Sequence, residues 1–173
     1  MHIRKIAFAA VVAALYAALT LAIAPIAFGP VQFRIAEALC ILPFFYPVTS
    51  LGLFVGCLIA NLLSPYGILD IFAGSLATLL AAACTMWIGR ANRAGLLNKA
   101  IACLPPVLFN ALIIGAVIAW SEVGAGESFR LAFAVNGLQV GVGQLVVLYA
   151  IGFPLMIYLP RTRVFTFLSK TFT

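Results

Sequence analysis

The chain predicts an all-α integral membrane protein, a compact bundle of about six transmembrane helices with both termini cytoplasmic. Three observations carry this. Charged residues make up only 8% of the 173 residues while 65% are hydrophobic, and mean hydropathy is +1.21; a soluble domain carries about a quarter charged residues. Stretches 6–29 and 71–89 are free of charge, and roughly 20 apolar residues at about 1.5 Å each cross about 30 Å of hydrocarbon. Period-2 alternation is absent and Ala and Leu dominate, so helices rather than a barrel satisfy the backbone.

The first helix is expected at 5–27. Met1-His2-Ile3-Arg4-Lys5 before an apolar run imitates a signal peptide. The run exceeds the roughly 7–15 residues of a signal core and leads into Pro25 and Gly29-Pro30 instead of a small-residue cleavage site, so it reads as a retained helix. Two rows of small residues run along it, Ala9, Ala13, Ala17 and Ala10, Ala14, Ala18, Ala22. Spacing of four puts each row on one face, a smooth strip on which another helix docks in lipid. The partner is either another chain or this same bundle; for Gly52-xxx-Gly56 and Gly137-xxx-Gly141, internal packing is the preferred reading.

The second and third helices are expected at 35–46 and 48–63. As one helix this stretch would be about 43 Å long, too long for one comfortable span and too short for two full ones. Charge decides. With a split near Pro43 and Pro47, Arg4, Lys5, Arg90, Arg93, Lys99, Arg161, Arg163 and Lys170 all fall inside, and only Arg34 and Arg130 fall outside. A single span would move the 90–99 loop and the basic tail outside, against the positive-inside rule. Helices at 68–89, 100–120 and 130–159 complete one membrane domain over 1–173, with outer connections 28–34, 64–67 and 121–129. No soluble domain, linker or convincing internal repeat is visible.

Several function classes are excluded. The net charge of +6 is scattered between apolar spans, unlike a nucleic-acid-binding stripe. Cys40, Cys57, Cys84 and Cys103 have no CxxC spacing, so they give neither a disulfide framework nor a metal site. With the terminal His2 as the only histidine, no His-based triad or H-E-x-x-H can be built, and no phosphate loop is present. The chain is not expected to be an enzyme or to hold a cofactor, and any ATPase that drives it is another chain.

Polar groups in hydrocarbon are costly unless satisfied, which makes the few present here functional candidates. Arg34 and Glu37 share a face at the outer start of the second helix; Asp70 lies in the first outer turn of the fourth; Trp120 ends the fifth. Asn136, Gln139 and Gln144 descend from the outer end of the sixth, with Asn61 and Asn110 as further candidates. Together they would line a pocket opening outward. Each has a plainer alternative: Arg34 with Glu37 as a simple pair, Asp70 as a helix-dipole partner, Trp120 as an interfacial belt residue. Glu122 and Glu127 read as solvated loop residues.

The run Phe28-Gly29-Pro30-Val31-Gln32-Phe33-Arg34-Ile35-Ala36-Glu37-Ala38-Leu39, then Pro43-Phe44-Phe45 and Asn61-Leu62-Leu63-Ser64-Pro65-Tyr66-Gly67-Ile68-Leu69-Asp70, resembles the QueT family, substrate-capturing S components of energy-coupling factor (ECF) transporters. The resemblance covers nearly the whole chain. It implies uptake of a queuosine precursor, queuine or 7-aminomethyl-7-deazaguanine, across a prokaryotic cytoplasmic membrane. It implies as partners the transmembrane coupling protein EcfT and two cytoplasmic ATPases, with the alanine strip docking on EcfT. Transport would involve toppling of the whole component in the bilayer. For a deazaguanine-type base, Glu37 or Asp70 would take the N–H edge and Gln139, Asn136 or Arg34 the carbonyl, with Trp120 or Tyr66 stacking and a second carboxylate pairing any exocyclic ammonium. Another vitamin-like solute (flavin, thiamin or biotin) and a structural subunit without a ligand are the rival expectations.

Overall fold

The structure is a computed structural model that describes residues 2–91, 95–123 and 128–172. Arg93 and Glu127 lie outside the described residues, as do the side chains of His2 and Lys170. Every ordered element among the described residues is helical. Four helices are long and apolar enough to cross a membrane: α1 (Ile3–Ala22 of the helix His2–Ala22), α3 (Gly67–Ala91), α4 (Leu96–Val123) and α5 (Phe129–Arg161). Between α1 and α3 stand two shorter apolar helices, a 3-10 segment Ile35–Phe44 and α2 (Thr49–Asn61). The chain is therefore a multi-pass membrane protein.

Prolines set several boundaries. The first helix stops at Ala22 and resumes as a single turn Ala24–Ala27 containing Pro25, so the expected helix over 5–27 is two pieces, as the missing proline N–H requires. The stretch over 35–63 breaks between Phe44 and Thr49, where Pro47 lies, while Pro43 sits inside the last turn of the first arm. Its first arm is 3-10 rather than the expected α-helix. Ten residues at about 2.0 Å and thirteen at about 1.5 Å give two arms of nearly equal reach, each about 20 Å. The tighter winding suits a segment buried on almost every side, from Ala36 to Tyr46.

In α4, Pro106 cannot bond the Ala102 carbonyl, and Thr85 Oγ1 from α3 donates to that oxygen instead at 3.0 Å. One wide turn of π-helix follows at Asn110–Ile114 and another at Leu148–Gly152 in α5, just before Pro154. The last helix is expected to end at 159, with no element in the basic tail. The structure carries α5 to Arg161 and adds α6 (Arg163–Phe172). Thr162 caps it by accepting the Phe165 N–H at 3.2 Å, and Phe165 docks edge-on against Phe45, ring centroids 5.3 Å apart.

Small residues set the closest helix contacts. Gly52 and Gly56 press on the α1 backbone at Ala9 and Ala13, where a Cβ on either glycine would collide. Gly115 meets Gly137 in the same way, joining α4 to α5. These contacts assign the row Ala9, Ala13, Ala17 to internal packing. The row Ala10, Ala14, Ala18 lies on the exposed face of α1, flanked by exposed Val11 and Leu15.

Candidate functional site

A tight loop delivers the first polar group. The Gln32 N–H donates to Gly29 O at 2.9 Å and the Arg34 N–H to Gln32 O at 2.8 Å, and this reversal holds Gln32 at φ 48°. Left-handed backbone is costly for a residue with a Cβ, and such strain gathers at functional sites. Arg34 is turned inward and only 1% exposed. Its Nε donates to Ala27 O at 3.2 Å, Nη1 to Asn61 Oδ1 at 3.2 Å and Nη2 to Asp70 Oδ2 at 3.4 Å, while its guanidinium lies over the Phe28 ring. Ser64 Oγ donates to the same Asp70 oxygen, and Asn61 Nδ2 to Asp70 O at 2.9 Å. Arg34, Asn61 and Asp70 thus form one buried knot joining the loop, α2 and α3.

Glu37 points elsewhere. It accepts from Tyr16 Oη of α1 at 2.6 Å and from Cys40 Sγ at 3.1 Å, so the simple Arg34–Glu37 pair is replaced by Arg34 with Asp70 and Glu37 with Tyr16. The reason is topological: the 3-10 segment packs against both α1 and α3, so Arg34 at its start reaches Asp70 of α3 while Glu37 within it reaches Tyr16 of α1.

A second set of groups lies where α4 faces α5. Residues 110, 114, 118 and 122 recur at helical spacing on α4, and 136, 140 and 144 on α5. Ile114, Ile118 and Val140 pack together with Tyr66 against them. Asn110 and Gln144 stand one turn further inward on the same faces, both buried. Gly143, beside Gln144, touches the Val31 carbonyl, which brings the Gln32 loop onto this part of α5. Across the gap, Asp70 Oδ1 lies over Gly74 beside Ile114.

Five buried side-chain atoms among the described residues lack a hydrogen-bond partner: Gln32 Nε2, Asp70 Oδ1, Asn110 Nδ2, Gln144 Oε1 and, at the start of α2, Ser50 Oγ. The first four border this one region. Tyr66 joins them, with its phenol beside the Gln32 amide but outside ordinary hydrogen-bond geometry. Burial first, and then the charges of Asp70 and Glu122, push the Tyr66 phenol up from its ordinary value, so it stays neutral.

At the Glu122 end of the same stripes is a cleft of about 460 Å³ lined by Pro30, Glu122, Val135, Asn136 and Gln139 among others. Asn136 Nδ2 donates to Glu122 Oε2 at 2.6 Å and to Ala132 O at 2.9 Å. The expectation that Glu122 is a solvated loop residue is corrected: α4 continues to Val123, and Glu122 occupies its last turn, half-buried against Asn136. Trp120 is 65% exposed and lines a shallow groove with Leu69, Leu112, Val117 and Phe129. That groove is apolar, apart from the polar stripes.

The structure therefore gathers Arg34, Asn61 and Asp70 in one knot, Tyr66, Asn110 and Gln144 beside it, and Asn136 with Gln139 at the cleft. It turns Glu37 toward α1 and leaves Trp120 outside. Sequence reasoning left Gln32 and Glu122 out of the site. Gln32 had one available signal, a polar residue two before Arg34 directly after the Gly29-Pro30 turn. Glu122 had none, because its role depends on where α4 ends.

A family model described as the QueT transporter matches residues 6–161. The curated protein "Queuosine precursor transporter QueT" of Lactococcus lactis subsp. cremoris (strain MG1363) is 40% identical over 73 residues, which is 41% of this chain and 43% of that protein's length. No solved structure matches. With nine-tenths of its length inside the family model and its polar side chains turned into a helical membrane bundle, the chain belongs to the QueT transporter family.

Proposed function

We propose that this chain is the substrate-binding S component of an ECF importer, capturing a queuosine precursor, queuine or 7-aminomethyl-7-deazaguanine, at the outer face of a prokaryotic cell membrane. The observation that carries the reading is the four unpartnered buried atoms of Gln32, Asp70, Asn110 and Gln144, contributed by four separate segments. An unsatisfied buried polar group costs about 1–3 kcal/mol, so four in one region are retained for a polar guest. A structural subunit would have its intramembrane polar groups consumed by one another, and these are not.

The inventory suits a deazaguanine. Two amide nitrogens donate and two oxygens accept, against a base that offers a carbonyl and a row of N–H groups. Arg34 and Ser64 hold Asp70 Oδ2, which leaves Oδ1 for the N–H edge. Gln32 and Asn110 have donors for the carbonyl. Tyr66 with Ile114, Ile118 and Val140 offers a flat apolar surface for the ring.

Delivery would use the exposed alanine row of α1. Ala10, Ala14 and Ala18 make a strip on which EcfT can pack closely, with the two ATPases on the cytoplasmic side. The capture reading is tested by calorimetry on the purified chain with Asn110→Leu and Gln144→Leu. Each is expected to weaken deazaguanine binding by about tenfold or more; unchanged affinity in both overturns it.

A further inference from the structure

Glu122 is a carboxylate in a place that disfavours it. It occupies the last turn of α4, where the helix dipole is negative, and it is half-buried. Among the described residues the ion pair is Arg34 with Asp70, so Glu122 has an amide partner and no cation. Asn136, itself 5% exposed, spends both amide hydrogens on Glu122 and Ala132 O and so fixes the carboxylate at the cleft wall. Pro30 and Val135 supply an apolar lining beside it.

That combination favours one kind of ligand. A divalent metal needs about six oxygen ligands, and this cleft has one carboxylate among mostly apolar neighbours. An ammonium on an organic body needs a single charged acceptor and apolar contact for its carbon frame. The cleft opens on the same α4 and α5 stripes as the unpartnered amides, since Asn136 and Gln144 lie two turns apart on one face of α5, about 12 Å. The Tyr66 phenol lies close enough to both Asp70 and Glu122 for their charges to act on it, and it packs against Ile114 and Ile118 on the α4 stripe that ends at Glu122.

We propose that Glu122, positioned by Asn136, is the receptor for a protonated amine carried by the captured solute, and that it makes the chain select an amine-bearing base over a neutral analogue. This rests on the capture reading above and adds a specificity-determining residue to it. The base would lie against Tyr66 with its amine arm directed outward to Glu122.

The test is calorimetry on the full chain in detergent with 7-aminomethyl-7-deazaguanine and neutral 7-cyano-7-deazaguanine. The wild type is expected to prefer the amine by about tenfold or more. Glu122→Gln, which keeps an acceptor for Asn136, should weaken amine binding by about 10- to 100-fold and leave the cyano compound within about twofold. Val135→Lys, at an exposed position on the cleft, introduces a competing cation and should act in the same direction, so the test stands even if Glu122→Gln does not fold. Equal weakening of both compounds, or an unchanged preference, overturns the amine receptor while leaving the capture reading in place. Failure of the wild type to bind either compound overturns both.

Discussion

At the scale of single residues, Arg34 anchors the knot. Its planar fork reaches Ala27 O, Asn61 and Asp70 at once, with Phe28 beneath it, a set of contacts that lysine cannot reproduce. Arg34→Met would leave Asp70 buried at 0% exposure without its cation. Breaking such a pair from one side costs about 3–5 kcal/mol, so thermal unfolding in detergent should fall sharply. An unchanged midpoint would mean that the knot does not hold the loop to α2 and α3. The candidate residues were legible in the sequence as polar letters in apolar runs, because hydrocarbon makes each of them costly. Their partners were not legible: Arg34 and Glu37 are three apart in sequence yet bond to Asp70 and Tyr16, residues 36 and 21 positions away.

At the scale of elements, α1 has two alanine rows that sequence could not tell apart, since both repeat every four residues. Only the position of Gly52 and Gly56 distinguishes them. Ala13→Trp has to fit where α1 and α2 backbones touch, and should prevent folding, seen as aggregation in size-exclusion chromatography. Ala14→Trp projects from the exposed face and should leave the fold and ligand binding intact while abolishing co-purification with a coupling protein. Loss of ligand binding in Ala14→Trp would assign that row an internal role. The helix termini follow similar logic. Pro25 and Pro47 mark breaks that the structure contains, because a missing N–H acts locally, while Pro43 sits just before the second break, inside the 3-10 segment. The 3-10 winding of Ile35–Phe44 and the π turns at Asn110–Ile114 and Leu148–Gly152 were not legible, since they answer to crowding from neighbouring helices.

At the scale of the whole molecule, the charge distribution gives a topology that is directly testable. Ser128 precedes α5 and Thr162 follows it, both exposed. In a cysteine-free background, Ser128→Cys should react with an impermeant maleimide added to intact cells, and Thr162→Cys only after permeabilisation. The reverse pattern would invert the bundle and put the Glu122 cleft on the cytoplasmic side.

Sequence by itself determined that the chain lives in lipid, that it is helical, and where its long spans run, because these follow from composition and local periodicity summed over about 20 residues at a time. It also narrowed the site to a handful of polar letters. Tertiary structure alone decided which of them face each other: Gln32 in its left-handed turn, the unpartnered amides of Asn110 and Gln144, and Glu122 against Asn136. Hydrogen bonds act over about 3 Å, and only the packing of distant helices brings such groups that close.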